Sequence, residues 1–259
     1  MNRLLLVVVA VIVVIVIAGL AYYFATSQAP TKEYLVVGTS PDFPPFEYID
    51  EKGNVVGFDI DLIRLLAQKA GYKDIKIVTM DFDSLIPALT QGKIDVIASG
   101  MTITEERKKV VDFTDPYWEA DQAILVREDS GFMPKSIDDL NGKTVGVQTG
   151  TTGADYVKSY VEEHGLNINV KEYSSFVLAV QDLVNGRIDA VVVDSPVAKM
   201  FEQKYPVTIA TIIKTGEQYG FAVRKGETEL LQALNKALHE VKNSPEWNKL
   251  IEKYFGSAG

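Results

Sequence analysis

Residues 88–99 read Ala-Leu-Thr-Gln-Gly-Lys-Ile-Asp-Val-Ile-Ala-Ser, and residues 182–193 read Asp-Leu-Val-Asn-Gly-Arg-Ile-Asp-Ala-Val-Val-Val. Each stretch has the pattern of a helix end, a glycine stop, a basic residue and an Ile-Asp pair that opens a buried strand. Two similar α/β units in one chain favour two lobes over one larger sheet. The alternative is that both stretches are examples of a frequent connection between a helix and a strand.

The chain around this repeat alternates between predicted strands and helices, which indicates α/β architecture with largely parallel sheets. Two β-rich segments, 122–126 and 218–222, flank the second unit and are predicted to cross between the lobes as hinge strands. Lobe 1 is predicted to contain residues 34–121 and 223–259, and lobe 2 residues 127–217. The predicted strands are 34–37, 75–80, 94–98, 143–147, 168–173, 188–193 and 219–224, and the predicted helices are 60–70, 84–91, 153–163, 176–185, 229–242 and 245–255.

The repeat also predicts where a ligand binds. In open α/β sheets, ligands bind beyond the carboxyl ends of the strands. Gly100 and Asp194 occupy equivalent positions, each just past the end of its strand. If the lobes face each other, residues 99–102 and Asp194 meet across a cleft.

The composition excludes several classes of function. The 259 residues carry a formal net charge of -9, whereas nucleic-acid binding requires a basic face. The chain has no cysteine, which excludes disulfides, thiolate chemistry and a lipid-modified cysteine. His164 and His239 lack the spacing of a metal site or a catalytic triad. We therefore predict no metal, no cofactor and no nucleic-acid partner.

An apolar run at the N-terminus predicts export. Residues 4–24 follow Arg3 without a charged side chain, and about 20 such residues are enough to cross a bilayer core. No clean cleavage site follows, so we favour a membrane anchor helix over a cleaved signal peptide for residues 1–25, with a linker at 26–33. In either case Arg3 keeps the N-terminus inside. The rest of the chain is predicted to be extracytoplasmic, in the periplasm or at the cell surface.

Residues 99–107, Ser-Gly-Met-Thr-Ile-Thr-Glu-Glu-Arg, contain the main candidate for anion binding. Thr104 suits the N-cap of a helix, and Glu105 and Glu106 suit its first turn. Arg107 then lies near the helix start, where a guanidinium beside free N–H groups can hold one carboxylate bidentately. The alternative is that Arg107 is a surface residue paired with Glu105 or Glu106.

Three further features suit a small charged ligand. Asp194 follows an apolar strand, where its carboxylate either pairs with an ammonium group or caps a helix. Residues 146–153, Gly-Val-Gln-Thr-Gly-Thr-Thr-Gly, form a glycine-rich turn that suits a small anion or is a plain turn. Phe43 and Phe82 lie in loops, where they either pack in the core or sandwich a flat side chain such as a guanidinium.

Collected together, these residues resemble the amino-acid-binding proteins of ABC importers, a family of bilobal solute-binding proteins. The resemblance covers roughly residue 32 to the C-terminus. It rests on ordered blocks at 37–47 (Val-Gly-Thr-Ser-Pro-Asp-Phe-Pro-Pro-Phe-Glu), 57–62 (Gly-Phe-Asp-Ile-Asp-Leu), 85–89, 99–109, 112–117 (Asp-Phe-Thr-Asp-Pro-Tyr), 146–152 and 218–220 (Gln-Tyr-Gly). It implies a two-lobed, periplasmic-binding-protein-like (type II) fold with two hinge crossovers, here preceded by the N-terminal hydrophobic helix.

The resemblance also implies roles for individual residues. Arg107 would clamp the α-carboxylate of an amino acid, helped by the Thr102 hydroxyl and the N–H groups near Thr152. Asp194 would hold the α-ammonium, and a backbone carbonyl of Ser99 or Gly100 and the Thr102 hydroxyl would be further acceptors. The pocket for the ligand side chain would be lined by Phe43 and Phe82 and tuned by Ser40, Glu47, Met101, Gln148 and Thr151.

One departure from the family concerns the ligand side chain. Many relatives that bind glutamine, histidine or lysine carry aspartate where this chain has Ser40, which removes an obvious counter-charge for a basic ligand. Residues 40–47 and 146–153 are nevertheless most similar to arginine-binding members, and Glu47 can supply a carboxylate. We therefore expect arginine as the ligand, followed by lysine or glutamine.

The resemblance implies a binding protein without catalytic residues. It would capture a free L-amino acid in a cleft that closes and present the closed form to the membrane permease and ATPase subunits of an ABC importer. Two alternatives remain on the same fold. One is a dehydratase that acts on an amino-acid-like substrate, with Glu47 or another carboxylate of the cleft as a general acid, and the other is a ligand-sensing domain.

Overall fold

The structure, a computed structural model, describes residues 32–256. The predicted anchor helix or signal peptide at 1–25 and the linker residues 26–31 lie outside the described residues. In the part of the chain that is described, no helix combines the length and apolar character needed to cross a membrane.

The strands and helices follow the predicted alternation, with ends that differ by a few residues in most elements. The strands are β1 (Lys32–Thr39), β2 (Asp42–Phe43), β3 (Glu47–Ile49), β4 (Val55–Val56), β5 (Tyr72–Thr79), β6 (Val96–Ile97), β7 (Val111–Phe113), β8 (Trp118–Arg127), β9 (Thr144–Gln148), β10 (Asn169–Tyr173), β11 (Ala190–Asp194), β12 (Val207–Tyr219) and β13 (Ala222–Arg224). The helices are α1 (Phe58–Lys69), α2 (Leu85–Thr90), α3 (Glu105–Lys108), α4 (Thr152–His164), α5 (Phe176–Val184), α6 (Ser195–Lys204), α7 (Thr228–Lys242) and α8 (Pro245–Phe255).

The strands form one main sheet in each of two lobes. The first sheet has the order β5-β1-β6-β13-β7, and the second has the order β10-β9-β11-β8-β12. The two copies of the sequence repeat occupy equivalent places, since α2 leads into β6 in lobe 1 and α5 leads into β11 in lobe 2. The predicted two-lobed α/β fold is confirmed.

The sheets are mixed, whereas the sequence predicts largely parallel ones. Pairing is parallel where strands and helices alternate, from β5 through β1 to β6 and from β10 through β9 to β11. It is antiparallel wherever β7, β8, β12 or β13 takes part. These four strands adjoin the connections between the lobes. Parallel neighbours need a crossover connection, usually a helix, and the chain adds these strands without one.

The connections between the lobes lie at the ends of two long strands. The chain leaves the first sheet after Phe113 and enters the second at Trp118, and it returns between Tyr219 and Ala222. The two connecting segments bind each other, because the Tyr117 N–H donates to the Tyr219 carbonyl oxygen (3.0 Å). The return connection lies within the predicted hinge segment 218–222.

The other predicted hinge segment, 122–126, needs a correction. It lies inside the second sheet, between β11 and β12. Its apolar side chains are completely buried in the cores on the two faces of this sheet, and this burial accounts for the β-rich pattern that we assigned to a hinge. The crossover itself comes earlier, where Pro116 and Tyr117 precede β8.

A cluster of aromatic side chains packs around the two connections on the lobe 1 side. The Phe46 ring lies edge-on to Trp118 (5.4 Å between centroids) and to Tyr219 (5.2 Å). Trp118 stacks on Phe255 of α8 (4.1 Å), and Tyr117 stacks on Phe221 (4.5 Å). The C-terminal helix thus holds the start of β8 against lobe 1.

Asp59 is a buried residue of helix α1 and is not the N-cap of that helix. Gly57 precedes α1, and Asp59 lies within the helix and is completely buried. Its carboxylate accepts hydrogen bonds from the Gly100 N–H (2.8 Å) and the Tyr117 hydroxyl (2.6 Å). Both partners are distant in sequence, so a local pattern could not distinguish this role from capping.

Candidate functional site

A cavity lies between the two lobes, at the carboxyl ends of β6 and β11. The residues that line it are Asp42, Phe43, Glu47, Phe82, Ser99, Gly100, Thr102, Arg107, Gln148, Thr151, Thr152 and Asp194. All of these except Asp42 were selected from the sequence. The fold therefore brings residues from five separated stretches of the chain to one place.

Two of the selected residues, Ser40 and Met101, do not line this cavity. Ser40 lies behind it, where its hydroxyl donates to Asp42 Oδ1 (3.2 Å). Met101 packs in the apolar core of lobe 1 with Leu85 and Leu89. Met101 lies in a segment without regular alternation, so its apolar character alone could not show whether it faced the core or the cleft.

The segment after β6 is held tightly against the floor of lobe 1. The Ser99 hydroxyl donates to Glu47 Oε1 (3.1 Å), and the Gly100 N–H donates to the buried Asp59 carboxylate. Gly100 has φ +45°, and a Cβ at this position would lie 2.6 Å from the Phe43 ring. Glycine is therefore required here by both the backbone and the aromatic side chain.

Arg107 spans the two lobes. It lies in α3, where the Thr104 hydroxyl caps the helix by accepting from the Arg107 N–H (3.1 Å), as predicted. Its guanidinium donates to the carbonyl oxygens of Thr102 in lobe 1 (2.7 Å) and Gly150 in lobe 2 (3.0 Å). The surface pairing that we considered as an alternative is not formed, because Glu105 and Glu106 pair with Lys108 and Lys109.

Asp194 ends β11 and is almost completely buried. Its carboxylate makes no side-chain capping bond to α6, which removes the capping alternative. Instead it accepts hydrogen bonds from Gln122 Nε2 (3.0 Å) and from the Tyr219 hydroxyl. A buried carboxylate at the cleft, held by neutral donors, is suited to bind an ammonium group.

Glu217 is a polar residue of the cleft that the sequence reasoning missed. Its carboxylate accepts hydrogen bonds from the hydroxyls of Thr102 (2.8 Å) and Thr152 (2.6 Å), one from each lobe. Gln122 also donates to it (2.8 Å). We predicted no strand through residues 207–217, so nothing in the pattern placed Glu217 near the site.

Asp42, the other missed residue, also joins the lobes. Its Oδ2 atom accepts from Gln148 Nε2 (3.0 Å) and from the Phe176 N–H at the start of α5 (2.8 Å). The proline-rich stretch around it directed our attention to the aromatic side chains. The signal that could have identified Asp42 is its acidic side chain in an otherwise apolar and proline-rich stretch, between Pro41 and Phe43.

The glycine-rich turn after β9 is a helix N-terminus with two different threonines. The Thr151 hydroxyl caps α4, because it accepts from the Ala154 N–H (3.1 Å) and donates to the Gln148 carbonyl oxygen (2.8 Å). Thr152 is the first residue of α4, and its hydroxyl faces the cleft. Thr152 is therefore better placed than Thr151 to donate to a ligand.

The two selected aromatic side chains have different surroundings. Phe43 is buried against Phe176 (5.7 Å between centroids) and Tyr219 (6.3 Å). The half-buried Phe82 ring lies below the guanidinium of Arg107, 5.5 Å from its central carbon. The cation–π contact thus helps to hold Arg107 in place.

Burial perturbs the acidic groups of this region. Desolvation raises the pKa of Asp194 to about 7, with the nearby Glu217 carboxylate adding to the effect. Desolvation also raises the pKa of Asp59 to about 7, and it raises the pKa of Glu47 well above its usual range. Arg107 is affected in the opposite sense, since burial lowers its pKa and the surrounding carboxylates oppose that change.

The ligand-free protein is expected to become more stable as the pH falls from about 7.5 to about 5.5. Asp59 and Asp194 have pKa values of about 7 in the folded protein, whereas the ordinary pKa of an aspartate is 3.8. The folded state therefore binds more protons in this window, and the free energy of unfolding rises as the pH falls, by about 2 kcal/mol for each of the two groups. Thermal unfolding at the two pH values should show a Tm higher by about 10 °C at the lower pH. A lower Tm at pH 5.5 would contradict the assignment.

A comparison with protein families now identifies the class of protein. Residues 35–257 match the bacterial extracellular solute-binding proteins, family 3. The chain belongs to this family. Within residues 32–256, no cluster of histidine and acidic side chains is arranged to hold a metal ion.

Named relatives of this solute-binding protein bind amino acids. It is 40% identical over 227 residues to the arginine-binding extracellular protein ArtP of Bacillus subtilis, covering 86% of this chain and 87% of ArtP. It is 39% identical over 240 residues to a probable histidine-binding protein of Neisseria gonorrhoeae, covering 91% of this chain and 87% of the relative.

Solved structures show the same architecture. An ancestral arginine-binding protein bound to arginine is 49% identical, with a TM-score of 0.82, and the match covers 87% of this chain and all of that one. An ancestral amino acid-binding protein described as a precursor of cyclohexadienyl dehydratase is 42% identical, with a TM-score of 0.79, covering 86% of this chain and 95% of that one.

Proposed function

We propose that this solute-binding protein captures L-arginine outside the cytoplasm and delivers it to the permease and ATPase subunits of an ABC importer. Residues 1–25 would export the chain and tether it to the membrane. The lobes would open and close about the two connections, a motion that belongs on the microsecond-to-millisecond scale. Each lobe alone can satisfy only part of a zwitterion, so closure and binding are coupled.

The observation that carries the proposal is the distribution of charge around the cavity. Its lining contains one cation, Arg107, and three carboxyl groups, those of Asp42, Glu47 and Asp194. Arginine carries one carboxylate and two cationic groups, and it therefore complements this arrangement. A neutral amino acid would leave at least one of the buried carboxylates without a counter-charge.

The two cationic groups of arginine would bind at different carboxylates. Asp194 would accept the α-ammonium group, while Arg107, Thr102 and Thr152 would donate to the α-carboxylate. Glu47 would accept the guanidinium, since its Oε2 atom is buried and has no hydrogen-bond partner among the described residues.

Asp42 offsets the departure at Ser40. The family members that carry aspartate at position 40 have a carboxylate there, and in this chain a carboxylate occurs two residues later. The Ser40 hydroxyl donates to it, so the two side chains act as one unit. This arrangement supports a basic ligand in spite of the substitution.

One observation favours the alternative function, an enzyme on the same fold. Glu47 and Asp59 are buried carboxyl groups with raised pKa values, which is a property of general acids. The relatives are named as binding proteins, however, and Asp59 does not line the cavity. Incubation of the protein with candidate amino acids, followed by chromatography for products, separates the two functions.

Calorimetric titration is expected to give the order arginine, lysine, glutamine, with arginine bound at about micromolar Kd or tighter. Glu47→Gln should weaken arginine by about tenfold or more, because the guanidinium loses its ionic partner. Citrulline, which has the shape of arginine without its side-chain charge, should lose little or no affinity.

Glu51→Gln is the matched control for this change. Glu51 is exposed at the turn between β3 and β4, four residues from Glu47. Its change to glutamine removes the same charge as Glu47→Gln. The affinity of the Glu51→Gln variant for arginine should equal that of the wild type within about twofold. Equal losses for arginine and citrulline in Glu47→Gln would contradict the assigned role of Glu47.

A further inference from the structure

Glu217 connects the lobes through the groups that should bind the ligand. It lies near the end of β12, and its Oε2 atom accepts from the Thr102 hydroxyl (2.8 Å) and the Thr152 hydroxyl (2.6 Å). Its Oε1 atom accepts from Gln122 Nε2 (2.8 Å) and the Thr215 hydroxyl (3.1 Å). Four donors from four different parts of the chain thus converge on one carboxylate.

The two threonine hydroxyls are the side-chain donors that the proposed function gives to the ligand carboxylate. A hydroxyl has a single proton to donate. While Thr102 and Thr152 donate to Glu217, they cannot donate to a ligand as well. Glu217 and the ligand carboxylate therefore require the same two protons.

Gln122 places Glu217 beside the other half of the site. Its amide nitrogen donates to both Glu217 and Asp194, and the residue is completely buried. Gly153 allows this position, because a Cβ there would lie 2.8 Å from Gln122 Oε1. The Glu217 carboxylate is thus held at a defined place between the threonine pair and the carboxylate that should bind the α-ammonium.

We propose that Glu217 is an internal substitute for the ligand carboxylate: it joins Thr102 to Thr152 across the closed cleft until an amino acid displaces it. The inference rests on the proposed function, since it needs a ligand with a carboxylate. It assigns to Glu217 two effects. In the ligand-free protein, Glu217 stabilises the closed arrangement of the lobes. It also lowers the affinity for every amino acid, because it competes with the α-carboxylate that all of them carry.

Glu217→Ala tests both effects. The variant is expected to bind arginine about tenfold more tightly by calorimetry, and lysine should gain by a similar factor, because the competition does not involve the ligand side chain. Ligand-free Glu217→Ala should also have a larger radius of gyration by X-ray scattering than ligand-free wild type. With saturating arginine the two proteins should scatter alike.

Two further variants separate the possible outcomes. Glu119→Gln removes a charge from an exposed side chain at the start of β8, near the same hinge, and should match wild type in both measurements. Glu217→Gln removes the charge but keeps a side chain of similar size. A gain in arginine affinity in this variant therefore cannot come from a cavity left by a smaller side chain. If arginine binds wild type but neither Glu217 variant binds it more tightly, the inference is overturned. Absence of arginine binding by wild type would instead overturn the proposed function.

Discussion

Replacement of Arg107 with methionine is expected to weaken the binding of every amino acid by about 100-fold or more. The guanidinium is held between the lobes by the carbonyl oxygens of Thr102 and Gly150 and by the ring of Phe82. Removal of the guanidinium would leave a ligand carboxylate buried beside Glu217 and Asp194 without a cationic partner. An unpaired buried charge costs about 3–5 kcal/mol.

The loss should be nearly independent of the ligand side chain, because the α-carboxylate is common to all amino acids. Lysine at position 107 should restore only part of the affinity, since an ammonium cannot reproduce the planar fork of the guanidinium. Lys109→Met is the control, because Lys109 follows the same helix and pairs with Glu106 at the surface. Calorimetry with arginine and glutamine provides the measurement. Retained affinity in Arg107→Met would remove the carboxylate site from this part of the cleft.

The two-lobed fold could be predicted because its evidence is local and occurs twice. In each copy of the repeat, a glycine ends a helix and an apolar strand follows, and these signals depend only on neighbouring residues. Helix α8 was predicted with its observed bounds, since Ser244 and Pro245 mark its start. The mixed pairing of the sheets was not predictable in the same way, because it depends on how the chain returns between lobes.

The candidate site could be predicted where a residue follows the end of a strand. Gly100 and Asp194 occupy the two such positions that the repeat aligns, and the fold brings both to the same cavity. Asp42 and Glu217 could not be found by this rule. Both are defined by contacts with the opposite lobe, and only the closed arrangement of the lobes shows which donors they meet.

Asp194→Asn is expected to weaken arginine by about 100-fold and to change how binding depends on pH. The pKa of Asp194 is about 7 in the ligand-free protein. A bound α-ammonium favours the ionised carboxylate and lowers this pKa, so binding releases a proton below about pH 7. In wild type, Kd should therefore rise by up to about tenfold for each pH unit below 7. An asparagine cannot titrate, so the part of this pH dependence that comes from Asp194 should disappear in the variant.

Asp59→Asn provides the comparison, because Asp59 also has a pKa of about 7 but does not line the cavity. Asparagine can still accept from the Gly100 N–H, so this variant should bind arginine with nearly the wild-type pH dependence. Calorimetry in buffers of different ionisation enthalpy counts the protons released directly. Proton release that persists in Asp194→Asn and vanishes in Asp59→Asn would assign the titrating group to the floor of lobe 1. The α-ammonium would then need a partner other than Asp194, because a carboxylate that pairs with it must give up its proton on binding.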